Sequence, residues 1–127
     1  MSQDWVKDVA QFHRHIGYPV RVMFHYENTP KSRTRCEYMM EEVEEYEEAF
    51  YNEDPNEMAD ALADLIWFAI GTALFHGLDL RPVMDEVHKS NMSKSPNPKS
   101  WKNCDKGPNF KKPNIAKALH DGDLSDV

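Results

Sequence analysis

Residues 39–75 read MMEEVEEYEEAFYNEDPNEMADALADLIWFAIGTALF, two helical patterns divided by one short turn. In the first, Met39, Val43, Tyr46 and Phe50 fall at i, i+4, i+7 and i+11, a single apolar stripe. The turn carries start signals for the second. Asp54 suits an N-cap, Pro55 the first helical position, and Glu57 the far side of a capping box. The spacing predicts one helix from about Arg33 to Tyr51 and another from Pro55 to about His76, where Gly77 stops it. So short a connector makes an antiparallel hairpin the expected packing.

The rest of the chain reads as weaker helix or as none. Trp5, Val9, Phe12 and Ile16 recur at helical spacing from about Asp4 to Ile16, closed by Gly17 and Pro19. Residues 17 to about 32 read as a loop. Asp79 can cap a helix from Leu80 to Met92, with Pro82 tolerated in its first turn. After Ser93, KSPNPKSWKNCDKGPNFKKPN has no period and should be an extended tail, or partly disordered. PNIAKALHD could add a short helix. No segment reads as a convincing strand. The expected fold is all-α: the hairpin, two shorter helices and an extended tail over 95–127, in one domain of 127 residues.

Charge is divided along the chain. The net charge is −7, which disfavours a nucleic-acid partner, since such modules carry a basic footprint. Glu37–Asp60 holds eleven acids and no Lys or Arg, whereas Lys89–Lys117 holds eight lysines and one acid. The first segment calls for cations and the second for anions. No membrane partner is expected. The longest uncharged apolar run, Leu65–Phe75, falls short of the roughly twenty residues that span a bilayer, and the N-terminal residues lack a signal-like apolar run. Cys36 and Cys104 lie far apart and read as free thiols of a reducing cytosol.

Asp60 and Asp64 are the anomaly. Apolar residues surround the helix that carries them and leave no wide polar face, so the helix reads as enclosed on most sides. Asp60, Asp64, Trp67 and Gly71 form one ridge, and Gly71 leaves room for a close approach. A buried carboxylate must be paired, protonated or bound to metal. The neighbouring helix offers Glu41, Glu42 and Glu45 and no cation. A hard divalent cation such as Mg²⁺ or Mn²⁺ resolves that repulsion with oxygen ligands. Glu42 and Glu45 project the same way, with Glu41 beside them. The bland alternative for any one glutamate here, and the reading for Glu44, Glu47 and Glu48, is a solvated face. Glu57 is ambiguous, because a cap needs no metal.

EEVEE at 41–45, followed after a short turn by ADLIWF, resembles the all-α nucleoside triphosphate pyrophosphohydrolases. That superfamily includes MazG-like enzymes, dimeric dUTPases and phosphoribosyl-ATP pyrophosphohydrolases. Its signature is EExxE on one helix and ExxD on the next. Glu41, Glu42 and Glu45 match the first half, and the LIWF that follows Asp64 marks it as the family aspartate. Ala61 stands where the pattern has glutamate. Asp60, one residue back, can serve instead, but Glu57 and Asp60 also read ExxD, so both registers stay open. FHRHIGYPV, GTALFHGLDL, DEVHKSNMSK and KGPNFKKPNI resemble the phosphoribosyl-ATP-pyrophosphohydrolase-like branch of bacteria and phages.

The resemblance implies hydrolysis of a nucleoside triphosphate between its α- and β-phosphates, with a purine such as dGTP or GTP as substrate. Two or more Mg²⁺ or Mn²⁺ ions would be held by Glu42, Glu45, Asp60 and Asp64, with Glu41 a ligand or the group that orients the water. Lys89, Asn91, Lys94 and Arg33 become candidates for the phosphates, against a solvated helix end or pairing with acids. Lys31 and Arg35 are further candidates of that kind. Trp5, Phe12, Tyr18, Trp67 and Trp101 are candidate platforms for the base, and His13 for metal or base; for each, packing is the plainer role. Family members associate, so a homodimer or homotetramer that completes the bundle is expected. Two rivals are a carboxylate-bridged redox metal protein, for which only Asp85–His88 approaches the required Glu-x-x-His, and a non-catalytic acidic interaction module.

Overall fold

The structure, a computed structural model, describes residues 4–127. Its elements are α1 (Trp5–His15), α2 (Pro30–Tyr51), α3 (Pro55–His76), α4 (Leu80–Met92), β1 (Ser95–Pro96), β2 (Cys104–Asp105) and α5 (Ile115–Asp121). The chain packs as two compact units, residues 4–78 with 124–127, and residues 79–123.

In the first unit α2 and α3 form the hairpin, and α1 packs on α3. The start of α3 follows from its cap: the Asp54 side chain accepts from the Glu57 N–H at 3.1 Å, and Pro55 takes the first position. Gly77 ends the helix with φ 70°, and a Cβ there would lie 2.0 Å from the Met23 carbonyl oxygen, so both conformation and contact require glycine. The α2 helix begins at Pro30, earlier than its period suggests, because Thr29 and Ser32 form a capping box within NTPKS. The preceding loop runs along the last turn of α3 and occupies its free carbonyls: Arg21 N–H donates to Leu74 at 3.0 Å, and His25 N–H to His76 at 2.9 Å.

The core of this unit holds Val9, Ala10, Leu74 and Phe75, with Val6, Ala61, Ile70 and Ala73. Its faces differ from those expected. On α1 the buried residues are Val6, Val9, Ala10 and His13, while Trp5, Phe12 and Ile16 stay exposed. On α2 the buried residues are Arg35, Glu42 and Ala49, at heptad spacing. Val43 and Phe50, from the apolar stripe, are 52% and 53% exposed. The physical reason is that α2 rests mainly on α3 and turns its charged ridge to that neighbour. Nor is α3 enclosed on most sides. Two helices flank it, leaving Leu62, Ile66 and Asp60 exposed. Among the described residues α3 alone is long and apolar enough to cross a membrane, a composition that equally suits a helix flanked on two sides.

In the second unit α4 packs on α5. Buried Asp79 caps α4 and accepts from the Arg81 N–H, from Arg81 Nε at 2.9 Å and Nη2 at 3.0 Å, and from the Asp123 N–H at 3.1 Å. The tail contains more order than its composition suggests. Ser95 pairs with Asp105 and Pro96 with Cys104, antiparallel. Asn97 closes the intervening turn, donating to Asp105 and accepting from the Lys99 N–H. Polar bonds hold this turn, so no hydrophobic period announces it.

Candidate active site

The inner surface of the hairpin is ordered by stepwise pairing. Arg35, near the start of α2, donates from Nη2 to the Phe68 carbonyl at 3.0 Å and from Nε to Thr72 Oγ1 at 3.1 Å. One turn on, the Tyr38 ring lies 5.4 Å from that of Phe68. The next step brings Glu42 and Glu45 under the charges of Asp64 and Asp60. Each turn toward the end of α2 meets a turn toward the start of α3, as antiparallel packing requires.

Glu42 is the buried acid, 8% exposed, and its Oε2 has no hydrogen-bond partner. Burial pushes its carboxyl up to about 7, assisted by a hydrogen bond with Glu45 and by the charges of Glu45, Asp64 and Asp60. Asp64 is half-buried and is likewise raised, by burial first and then by Asp60 and Glu45. Four carboxyl groups, Glu42, Glu45, Asp60 and Asp64, therefore act on one another. The expectation of two buried aspartates is corrected: Asp60 is exposed, and the enclosed carboxylate belongs to α2. The open flank of α3 is why. Glu41 and Glu57 are exposed and are not among the charges acting on Glu42 or Asp64.

These donors fit a hard divalent cation. All are carboxylate oxygens, one is buried without a partner, and the raised Glu42 carboxyl marks a position where positive charge is favoured. Among the described residues no three Asp, Glu, His or Cys side chains converge on one point at metal-binding distance.

Beside the acids lies a cavity of about 500 Å³ that includes Asp64 and the rings of Phe12, Tyr18, Tyr38, Trp67 and Phe68. His13 and Arg35 also border it. Their approach explains Gly71, where a Cβ would stand 2.7 Å from Arg35 Nη2 and 2.8 Å from His13 Nε2. The His13 Nδ1–H donates to the Pro19 carbonyl at 3.0 Å. Burial, with Arg35 adding to it, lowers the His13 pKa despite that bond, so the ring is neutral near pH 7. Of the other candidate platforms, Trp5 borders a second apolar groove with Ile66 and Ile70, and Trp101 is exposed in the second unit.

The cationic candidates are distributed over both units. Arg33 is exposed on α2 and donates to Asn28 Oδ1 at 2.9 Å rather than to an acid. Lys89 and Asn91 are exposed on the last turns of α4, and Lys94 follows the helix half-buried, its N–H donating to the Asn91 carbonyl at 3.1 Å. Lys89 also borders an open cavity of about 740 Å³ with His88, Phe110 and Lys111, all in the second unit.

A helical hairpin with carboxylates facing across its inner surface is the arrangement of a helical nucleotide pyrophosphohydrolase. The sequence model described as phosphoribosyl-ATP pyrophosphohydrolase matches residues 9–91, which include all of α2 and α3. The chain belongs to that family, and through it to the MazG-like all-α nucleoside triphosphate pyrophosphohydrolases. No curated protein matches it.

Proposed function

We propose that this chain converts a nucleoside triphosphate and water into a nucleoside monophosphate and pyrophosphate, with Mg²⁺ or Mn²⁺ as cofactor and a purine triphosphate, dGTP or GTP, as substrate. The observation that carries the reading is Glu42: a buried carboxyl raised to about 7, with Glu45 beside it on α2 and Asp60 and Asp64 across the hairpin of a pyrophosphohydrolase family member. Glu42, Glu45, Asp60 and Asp64 would hold the ions. When bound, two or more such ions neutralise the triphosphate and activate water for in-line attack. As a ligand, Glu42 would act in its ionised form. Glu41, at the exposed edge, orients the water. Lys89, Asn91, Lys94 and Arg33 are the proposed phosphate contacts. The exposed apolar residues Met40, Val43, Phe50, Leu62 and Ile66 support assembly into a homodimer or homotetramer. The free thiols Cys36 and Cys104 are in keeping with a cytoplasmic setting.

The test is product analysis across the eight common NTPs and dNTPs with either metal. Pyrophosphate release that stops on chelation is expected. Orthophosphate as the sole product, or no turnover of any nucleotide, would sink the reading. Glu42→Gln and Asp64→Asn should each abolish turnover in a chain that still folds by circular dichroism.

A further inference from the structure

We infer that Arg35 is a positioning residue for the proposed reaction: it fixes the rotation of α2 and thereby holds Glu42 against α3, toward Asp64. The inference rests on the pyrophosphohydrolase reading only for what the acids bind.

The orientation of α2 needs a cause. The residues buried along it are Arg35, Glu42 and Ala49, spaced by seven, whereas Val43 and Phe50 of the apolar stripe are about half exposed. Apolar burial alone would turn the stripe toward α3 and Glu42 away from it. Desolvation of a carboxyl pulls the same way. Both forces favour another rotation of the helix, so a local constraint opposes them. The cap at Thr29 and Ser32 sets where α2 begins, not which face meets α3.

Arg35 supplies that constraint. It is buried, and it donates from Nη2 to the Phe68 carbonyl and from Nε to Thr72 Oγ1. Among the described residues these are the only hydrogen bonds that run from α2 to α3. The two acceptors are themselves tied together, since Thr72 Oγ1 donates to the same carbonyl at 2.7 Å. A planar fork set on two fixed acceptors restricts the rotation of the helix that bears it. The rings of Tyr38 and Phe68, with centres 5.5 and 5.7 Å from the guanidinium carbon, hinder it from swinging aside. Glu42 lies on the same face of α2 as Arg35, and Asp64 lies one turn before Phe68 on α3. The bond that ties Arg35 to Phe68 therefore directs Glu42 toward Asp64. Arg35 is not among the charges acting on Glu42 or Asp64, so its influence is geometric.

Thermal melts in EDTA at pH 8 compare Glu42→Gln in two backgrounds, the wild type and Arg35→Met. In the wild type it should raise the melting temperature, because the acid is held away from water. Arg35→Met keeps an apolar stem and removes the fork, which frees α2 to turn Glu42 outward, and the gain should disappear. An equal gain in both backgrounds overturns the inference, since a merely structural arginine would add independently. No gain in the wild type overturns it too. Should Arg35→Met not melt cooperatively, Thr72→Val, which removes one acceptor, decides by the same comparison, with a reduced gain expected. Arg35→Lys keeps the charge without the fork and should follow Arg35→Met; full restoration by lysine overturns the geometric role. Calorimetric titration with Mn²⁺ gives a second readout. Arg35→Met and Thr72→Val alter no carboxylate, yet each should weaken Mn²⁺ binding by about 10- to 100-fold, as loss of the support behind a ligand does. An affinity unchanged in both overturns the inference. If the wild type binds no Mn²⁺, the proposed function falls, and the melts still decide the role of Arg35.

Discussion

Glu42 is a residue whose environment opposes its own charge. In the folded chain it is buried against Glu45, Asp60 and Asp64; in the unfolded chain it is solvated. The rise from 4.5 to about 7 corresponds to about 3 kcal/mol lost once the group is ionised. Glu42→Gln keeps the shape without the charge. In EDTA at pH 8 it should therefore raise unfolding stability by about 1–3 kcal/mol while abolishing turnover. Urea unfolding with and without Mg²⁺ tests this: no gain in the metal-free state would remove buried repulsion from the account. Gly71 makes a second prediction. In an ordinary helix, Gly→Ala gains about 1 kcal/mol. Here the new Cβ meets Arg35 and His13, and each is tied by hydrogen bonds, so neither can swing away freely. Gly71→Ala should cost a net of about 1–2 kcal/mol. At this scale the sequence shows Gly71 as a place of close approach. It does not show that Glu42, rather than either aspartate, is the enclosed acid, because burial depends on which flank of α3 the rest of the chain covers.

At the scale of elements, boundaries were readable where a local signal sets them. Asp54, Pro55 and Gly77 delimit α3, and Asp79 begins α4. Thr29 and Ser32 delimit α2 equally well, but a Pro- and polar-rich stretch masks them. The orientation of α2 was not readable, since the residues buried along it are Arg35, Glu42 and Ala49 and not the apolar stripe that hydrophobic spacing marks. Asp79 gives an element-scale test in acid. Burial works to raise its carboxyl, but Arg81 and the N–H groups of Arg81 and Asp123 outweigh it and hold the pKa below the ordinary value. The folded chain thus releases this proton more readily than the unfolded one. Its stabilisation is complete above about pH 3.8 and is lost as pH falls through the lower folded value. Asp79→Asn should be less stable than wild type by about 1–3 kcal/mol at pH 7. The gap should narrow as pH falls through the folded value, where Asp79 becomes as neutral as asparagine. A gap independent of pH in thermal melts would assign the loss to packing instead of charge.

For the molecule as a whole, the exposed apolar residues of the hairpin make the single chain an incomplete body. Val43 and Phe50 on α2, and Leu62 and Ile66 on α3, are about half exposed although their spacing is that of core positions. Burying such a residue yields about 1.5–3 kcal/mol, and a second copy of the chain brings the same stripe to the contact. The proposed homodimer or homotetramer would account for a sequence that reads as more deeply buried than the chain alone is, and for acids that sit near an open flank. Light scattering on the purified chain should give a mass of two or four protomers. Val43→Glu combined with Leu62→Glu places charges on both stripes and should reduce the mass to one protomer and lower the melting temperature. If neighbouring helices complete the site, pyrophosphate release should fall with the mass and recover at high protein concentration, where association is restored. A wild type that sedimented as one protomer at all concentrations and still turned over nucleotide would show that the hairpin needs no second copy.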